Sequence, residues 1–163
     1  MKNLEISSTK PLAIIPKWIV FTLIVVSLIG FLDATYLTVK HYLGTPLECS
    51  IFEGCEQVTT SQYATIFNIP VALGGAVYYL FIFILLIAYL DTKRNWLISV
   101  IPPITIIGFI ASVWFVYLQL FVIKAICIYC LISALTSTTL FLLGLFVLKL
   151  KGSSNHIVKL KTN

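Results

Sequence analysis

Four stretches of this chain carry almost no charge, and they decide what it can fold into. Residues 18–39 hold one charged side chain, Asp33, in 22 positions, while residues 57–90, 95–123 and 125–148 hold none in 34, 29 and 24. A helix needs about 20 apolar residues to cross the hydrocarbon core of a bilayer. Each run therefore holds one crossing, and the expected fold is all-α, an integral membrane four-helix bundle. The expected helices cover residues 17–37, 70–90, 97–121 and 126–148. The second run is too long for one helix, so its polar first part, QVTTSQYATIFN, belongs to an outer loop over residues 40–69. Composition agrees: 10% of the residues are charged and 60% hydrophobic, where soluble domains carry roughly 25% charged residues. With 163 residues the expectation is a single membrane domain and no second soluble module.

The basic residues orient the bundle. With both termini on one side, that side collects Lys2, Lys10, Lys17, Lys93, Arg94, Lys149, Lys151, Lys159 and Lys161, against Lys40 and Lys124 opposite. Nine against two places both termini in the cytoplasm. The net charge of +5 then reports topology and contact with anionic membrane lipid. Basic residues are nowhere interleaved with aromatics in a soluble segment, which argues against a nucleic-acid partner. No small-x-small cleavage site follows the first run, so it reads as a retained helix rather than a signal peptide. Pro70 suits the first turn of the second helix, and Pro102-Pro103 should irregularise the inner end of the third.

All four cysteines fall on the side opposite the positive charge. Cys49 and Cys55 lie in the long outer loop, Cys127 and Cys130 at the outer end of the last helix. That compartment is oxidising and disulfides persist there. Three readings follow. Structural disulfides would close only short loops, whose entropic stabilisation falls below the ~3 kcal/mol of a 15-residue loop. An all-thiolate zinc site has the right number of ligands, but its pairs are usually spaced by two to four residues, and SIFEG gives five. Haem attachment requires histidine after Cys130, where Leu131 stands. The third reading is a redox relay. Cys127, in the first turn of the last helix, would sit where unpaired N–H groups and the helix dipole favour a thiolate, with Lys124 nearby. Cys130 would lie one turn deeper, suited to a lipid-soluble oxidant, while Cys49 and Cys55 are open to a protein. A small transporter or an assembly subunit with stapled outer loops is the alternative, and a single charge in the spans argues against transport.

The order C-x5-C in the first outer loop, then CIYC opening the last helix, resembles the vitamin K epoxide reductase family in its bacterial and archaeal branch. FLDATYLTVKHY, the serine six residues after Cys55 (Ser61) and IPVALGGAVYY match as well. The resemblance implies a membrane thiol–disulfide oxidoreductase with Cys49, Cys55, Cys127 and Cys130 as catalytic residues and Ser61 as a hydrogen-bonding partner. Electrons would pass from a thioredoxin-like (DsbA-like) extracytoplasmic protein through Cys49 and Cys55 to Cys127 and Cys130, then to a quinone, ubiquinone or menaquinone. No metal is required. Animal relatives separate the loop cysteines by seven residues and place tyrosine four residues after the last cysteine; here the gap is five and that position is Ala134. Many bacterial relatives carry a fused thioredoxin-like domain, and the expectation here is a separate partner. The quinone would meet Pro70, Val71, Gly74, Val113, Trp114 and Tyr117 at the level of Cys130, with residues 58–67 as an amphipathic piece lying over it. Asp33, an intramembrane carboxylate, is a candidate for proton handling. The expected location is a prokaryotic plasma membrane.

Overall fold

The computed structural model describes residues 15–45 and 54–161. Its elements are α1 (Lys17–Leu43), α2 (Cys55–Thr59), β1 (Thr65–Ile66), β2 (Ile69–Pro70), α3 (Val71–Thr92), α4 (Asn95–Tyr117) continued by a π-helical turn (Leu118–Ile123), and α5 (Ile128–Lys161). Four segments are long and apolar enough to cross a membrane: Lys17–Leu43, Val71–Thr92, Trp96–Ile123 and Ile128–Leu150. The protein is thus the all-α four-span bundle that the charge-free runs predict.

The spans differ from expectation at their ends. α1 runs six residues beyond 37, because nothing in TVKHYL breaks a helix. Gly44 stops it in the left-handed conformation at φ 60°, its N–H bonded to the His41 carbonyl. Asp33 therefore lies ten residues, about 15 Å, below the helix end. α4 passes unbroken through Pro102 and Pro103, since neighbouring helices support backbone groups that proline leaves unpaired. α5 continues to Lys161 rather than ending near 148. Helix in the outer loop stops at Thr59, so residues 58–67 form no continuous helix. They lead instead into a small antiparallel hairpin pairing Thr65 with Pro70 and Ile66 with Ile69.

Packing follows from small residues at helix crossings. α1 buries Ile19, Leu23, Ser27, Gly30, Ala34 and Leu37, spaced three or four apart along one face. α3 lies along that face, and α5 packs on both α1 and α4. At Gly30 a Cβ atom would overlap the Tyr79 ring, so only glycine lets α3 come this close. Tyr79 is buried, and its hydroxyl donates to the Ser133 carbonyl at 2.7 Å and meets Thr136 Oγ1 at 2.8 Å. One side chain thereby ties α3 to α5 across the small face of α1.

Candidate functional site

A second, smaller core closes one end of the bundle. It gathers Leu37 of α1, Cys55 and Val58 of α2, Ala125 and Cys127, with Ala72, Ile128, Tyr129 and Cys130 packed against it. Gly54, which precedes α2, makes the approach possible. A Cβ there would stand 2.8 Å from the backbone nitrogen of Ile126 and 2.9 Å from its oxygen. The loop helix is thus pressed on the strand of chain leading to CIYC, and Cys55 and Cys127 are both sealed from solvent in the same cluster. Cys55 is disulfide-bonded, whereas Cys127 and Cys130 are free thiols. Cys49, the other expected loop cysteine, lies outside the described residues.

Cys127 immediately precedes α5 rather than occupying its first turn. Its carbonyl accepts the Leu131 N–H at 3.1 Å, which makes it the N-cap residue. The expected influence of the helix start survives this shift. The Cys130 thiol, hydrogen-bonded to Cys127, lowers the Cys127 pKa to about 7, and the backbone N–H groups of Cys130 and Tyr129 lower it further against the opposing effect of burial. A sulfur held this way is available as a thiolate near neutral pH.

What fixes Cys127 is a residue that no sequence motif marks. Gln119 lies in the π-helical turn and is buried. Such a turn leaves carbonyls out of the regular helical pattern. The Gln119 carbonyl accepts the N–H groups of Lys124 and Ala125, and its side-chain Oε1 accepts the Cys127 N–H at 3.2 Å. A polar residue in an apolar span was the only available signal.

Cys130 faces elsewhere. It lines a cavity of about 360 Å³ between α3, α4 and α5, whose wall also includes Pro70, Val71 and Gly74, and whose mouth carries Ser61. The volume falls within the range of small-molecule sites, and the lining is mostly apolar. Ser61 donates its hydroxyl to the Val58 carbonyl at 2.7 Å, which leaves its oxygen free to accept. Val113, Trp114 and Tyr117 do not line this cavity: the turn of α4 carries them outward, each about half exposed. Trp114 instead borders an open depression beside the hairpin. Asp33 is level with the inner pair, since Tyr36, one turn above it, packs on the Tyr129 ring at 5.2 Å. Its Oδ2 is buried without a hydrogen-bond partner. Ala134, Tyr78, Tyr79 and Ser137, none of them expected in the pocket, complete its deeper wall. Among the described residues no group of three His, Cys, Asp or Glu side chains gathers to hold a metal.

Sulfur on both sides of a buried partition, in helices long enough to span a bilayer, places the protein among membrane oxidoreductases. Residues 21–145 match the model of the Vitamin K epoxide reductase family, and the chain belongs to that family. Its activity is therefore membrane redox chemistry in disulfide formation, the family's electron acceptor being a quinone and its usual partner thioredoxin-like. No curated protein matches the chain.

Proposed function

We propose that the protein oxidises a thioredoxin-like partner outside the cytoplasm and delivers the electrons to a membrane quinone, supporting disulfide formation in secreted proteins. The observation that carries this reading is the opposite facing of the inner thiols: Cys127 is packed with Cys55, and Cys130 opens on the apolar cavity.

The route runs in balanced exchanges. The reduced partner attacks the Cys49–Cys55 disulfide at Cys49 and leaves oxidised, with Cys49 and Cys55 as thiols. Cys55 then attacks Cys127 of a Cys127–Cys130 disulfide and releases Cys130. Cys49 attacks Cys55 in the resulting Cys55–Cys127 bond, so the outer disulfide reforms and Cys127 departs. A sulfur with a pKa near 7 is a good leaving group for that step. Finally the inner dithiol gives two electrons and two protons to the quinone, closing Cys127–Cys130 and releasing the quinol into the lipid. Pro70, Val71 and Gly74 contact the ring, Ser61 accepts a hydrogen bond from a reacting thiol or quinol, and Asp33 relays protons. The excess of lysine and arginine at the opposite end keeps that end in the cytoplasm, in a single domain of a prokaryotic plasma membrane. Val113, Trp114 and Tyr117 face the surrounding lipid in this reading.

The test is a thiol count. Purified protein is reduced in detergent, mixed anaerobically with ubiquinone or menaquinone, and alkylated for a gel shift. Loss of all four thiols in the wild type, but not in Cys130→Ser, is the expected result. Thiols that stay reduced with every quinone would end the proposal.

A further inference from the structure

The deep end of the cavity holds two hydroxyls that the relay does not use. Tyr78 of α3 and Ser137 of α5 both line it, and each presents a buried oxygen with no hydrogen-bond partner. The two face one another without reaching hydrogen-bond geometry. Even a mutual bond would leave one O–H with nothing to donate to, because two hydroxyls bring two protons. Buried polar groups are ordinarily satisfied, and an exception asks for a physical reason.

Their neighbours make the exception plain. Along the same stretch of α5, the hydroxyls of Thr136, Thr138 and Thr139 each donate to a carbonyl three or four residues back. Ser137, only 2% exposed, does not. Tyr79 has partners on α5, whereas Tyr78, the next residue, has none. Tyr78 is also held in place, because a Cβ at Gly108 of α4 would overlap its hydroxyl. The phenol therefore points at the one position on α4 that leaves room for it.

The geometry of the remaining wall suits a flat ring. Ser137 follows Cys130 by seven residues, two turns and about 10 Å along α5, on the same face. Ala134 lies between them and lines the cavity, and Gly74 on α3 has open space where a side chain would be. A planar molecule can thus lie with one edge at the Cys130 sulfur and its far edge at the two hydroxyls.

We infer that Tyr78 and Ser137 form a hydrogen-bonding clasp for the carbonyl oxygen of a para-quinone on the side of the ring remote from Cys130. The inference rests on the quinone reading above and adds to it the groups that recognise the substrate. The clasp gives a reason for the cavity to select a quinone over a hydrocarbon chain of similar width. It also acts on the reaction. As two electrons enter the ring, negative charge builds on the carbonyl oxygen, and donors already aimed at it stabilise that charge. The hydroxyls keep their protons, since the dithiol supplies both that the quinol needs.

Tyr78→Phe, Ser137→Ala and the double variant test it in the full chain, with ubiquinone and menaquinone as probes. Each single change should raise the quinone KM about three- to tenfold, the span of one lost hydrogen bond, and the double change should exceed either. The carbonyl infrared band of isotope-labelled quinone should shift down on binding the wild type and lose that shift in the double variant. Thermal unfolding separates this from a structural role. Hydroxyls without protein partners leave Tm unchanged or higher when removed, whereas structural ones would lower it. Variants with wild-type KM and an unmoved carbonyl band, in a protein whose wild type is oxidised by quinone, would overturn the clasp alone. A wild type that no quinone oxidises would sink the clasp and the relay's acceptor together.

Discussion

The state of the Cys127 sulfur can be measured before any partner is known. Its pKa lies near 7 instead of the ordinary 9.0. At pH 7 half of the molecules carry a thiolate, against about one in a hundred for an ordinary thiol, a gain of about fifty-fold in the reactive form. The sign is that of a depressed acid: thiolate is present above pH 7 and lost as pH falls through it. The assay is the ultraviolet absorbance of thiolate during a pH titration in detergent, using Cys49→Ser/Cys55→Ser so that only the inner pair titrates. This readout needs no reagent to enter the sealed cluster. Cys130 is the largest contributor, so Cys130→Ala should move the midpoint above about 8, while Cys130→Ser keeps a donor and should remain near the wild type. A first midpoint at 9, or a Cys130→Ala variant indistinguishable from its parent, would refute the reasoning.

Three other substitutions probe the supports of the site. Gln119→Leu strands the buried Cys127 N–H and should cost about 1–3 kcal/mol of stability, read by thermal unfolding, together with an upward shift of the Cys127 midpoint. Gly54→Ala places a methyl group against the Ile126 backbone; trapping of the Cys55–Cys127 mixed disulfide should slow at least tenfold, an estimate of about 1.4 kcal/mol of misplacement, while quinone oxidation of the inner pair is retained. Gly74→Leu meets open space at its Cβ, so Tm should change by little while the quinone KM rises on the order of tenfold from the filled cavity.

Much of the scaffold can be read from charge alone, because a bilayer penalises unpaired charge heavily. Some 20 apolar residues without a charge are what a crossing demands and what a water-facing helix rarely shows. Local punctuation was equally available at one point: Gly44 after HYL is a helix-stop signal, yet Lys40 and His41 look like interface residues and suggest an earlier end. The hairpin had no such cue. Its turn residues Phe67 and Asn68 both adopt positive φ, at 52° and 61°, a conformation unusual for phenylalanine. The inner cysteines were legible because their spacing and their place at a helix start carry chemical meaning. Gln119, Tyr78 and Ser137 were not, since each matters through a group on a distant turn or another helix. Val113, Trp114 and Tyr117 occupy the right depth but the wrong side of α4, and depth is all that a uniformly apolar span reveals.

The π-helical turn at the end of α4 has a bearing on how this site tolerates length change. Such a turn is a helix carrying one residue more than its regular form. Removing a residue between Leu118 and Ile123 would restore ordinary winding and rotate everything beyond it by about 100° with a 1.5 Å retreat. CIYC would then present different faces to the outer loop and to the cavity, although no cysteine had been touched. The aim of both sulfurs is therefore stored as a count of residues in a neighbouring helix.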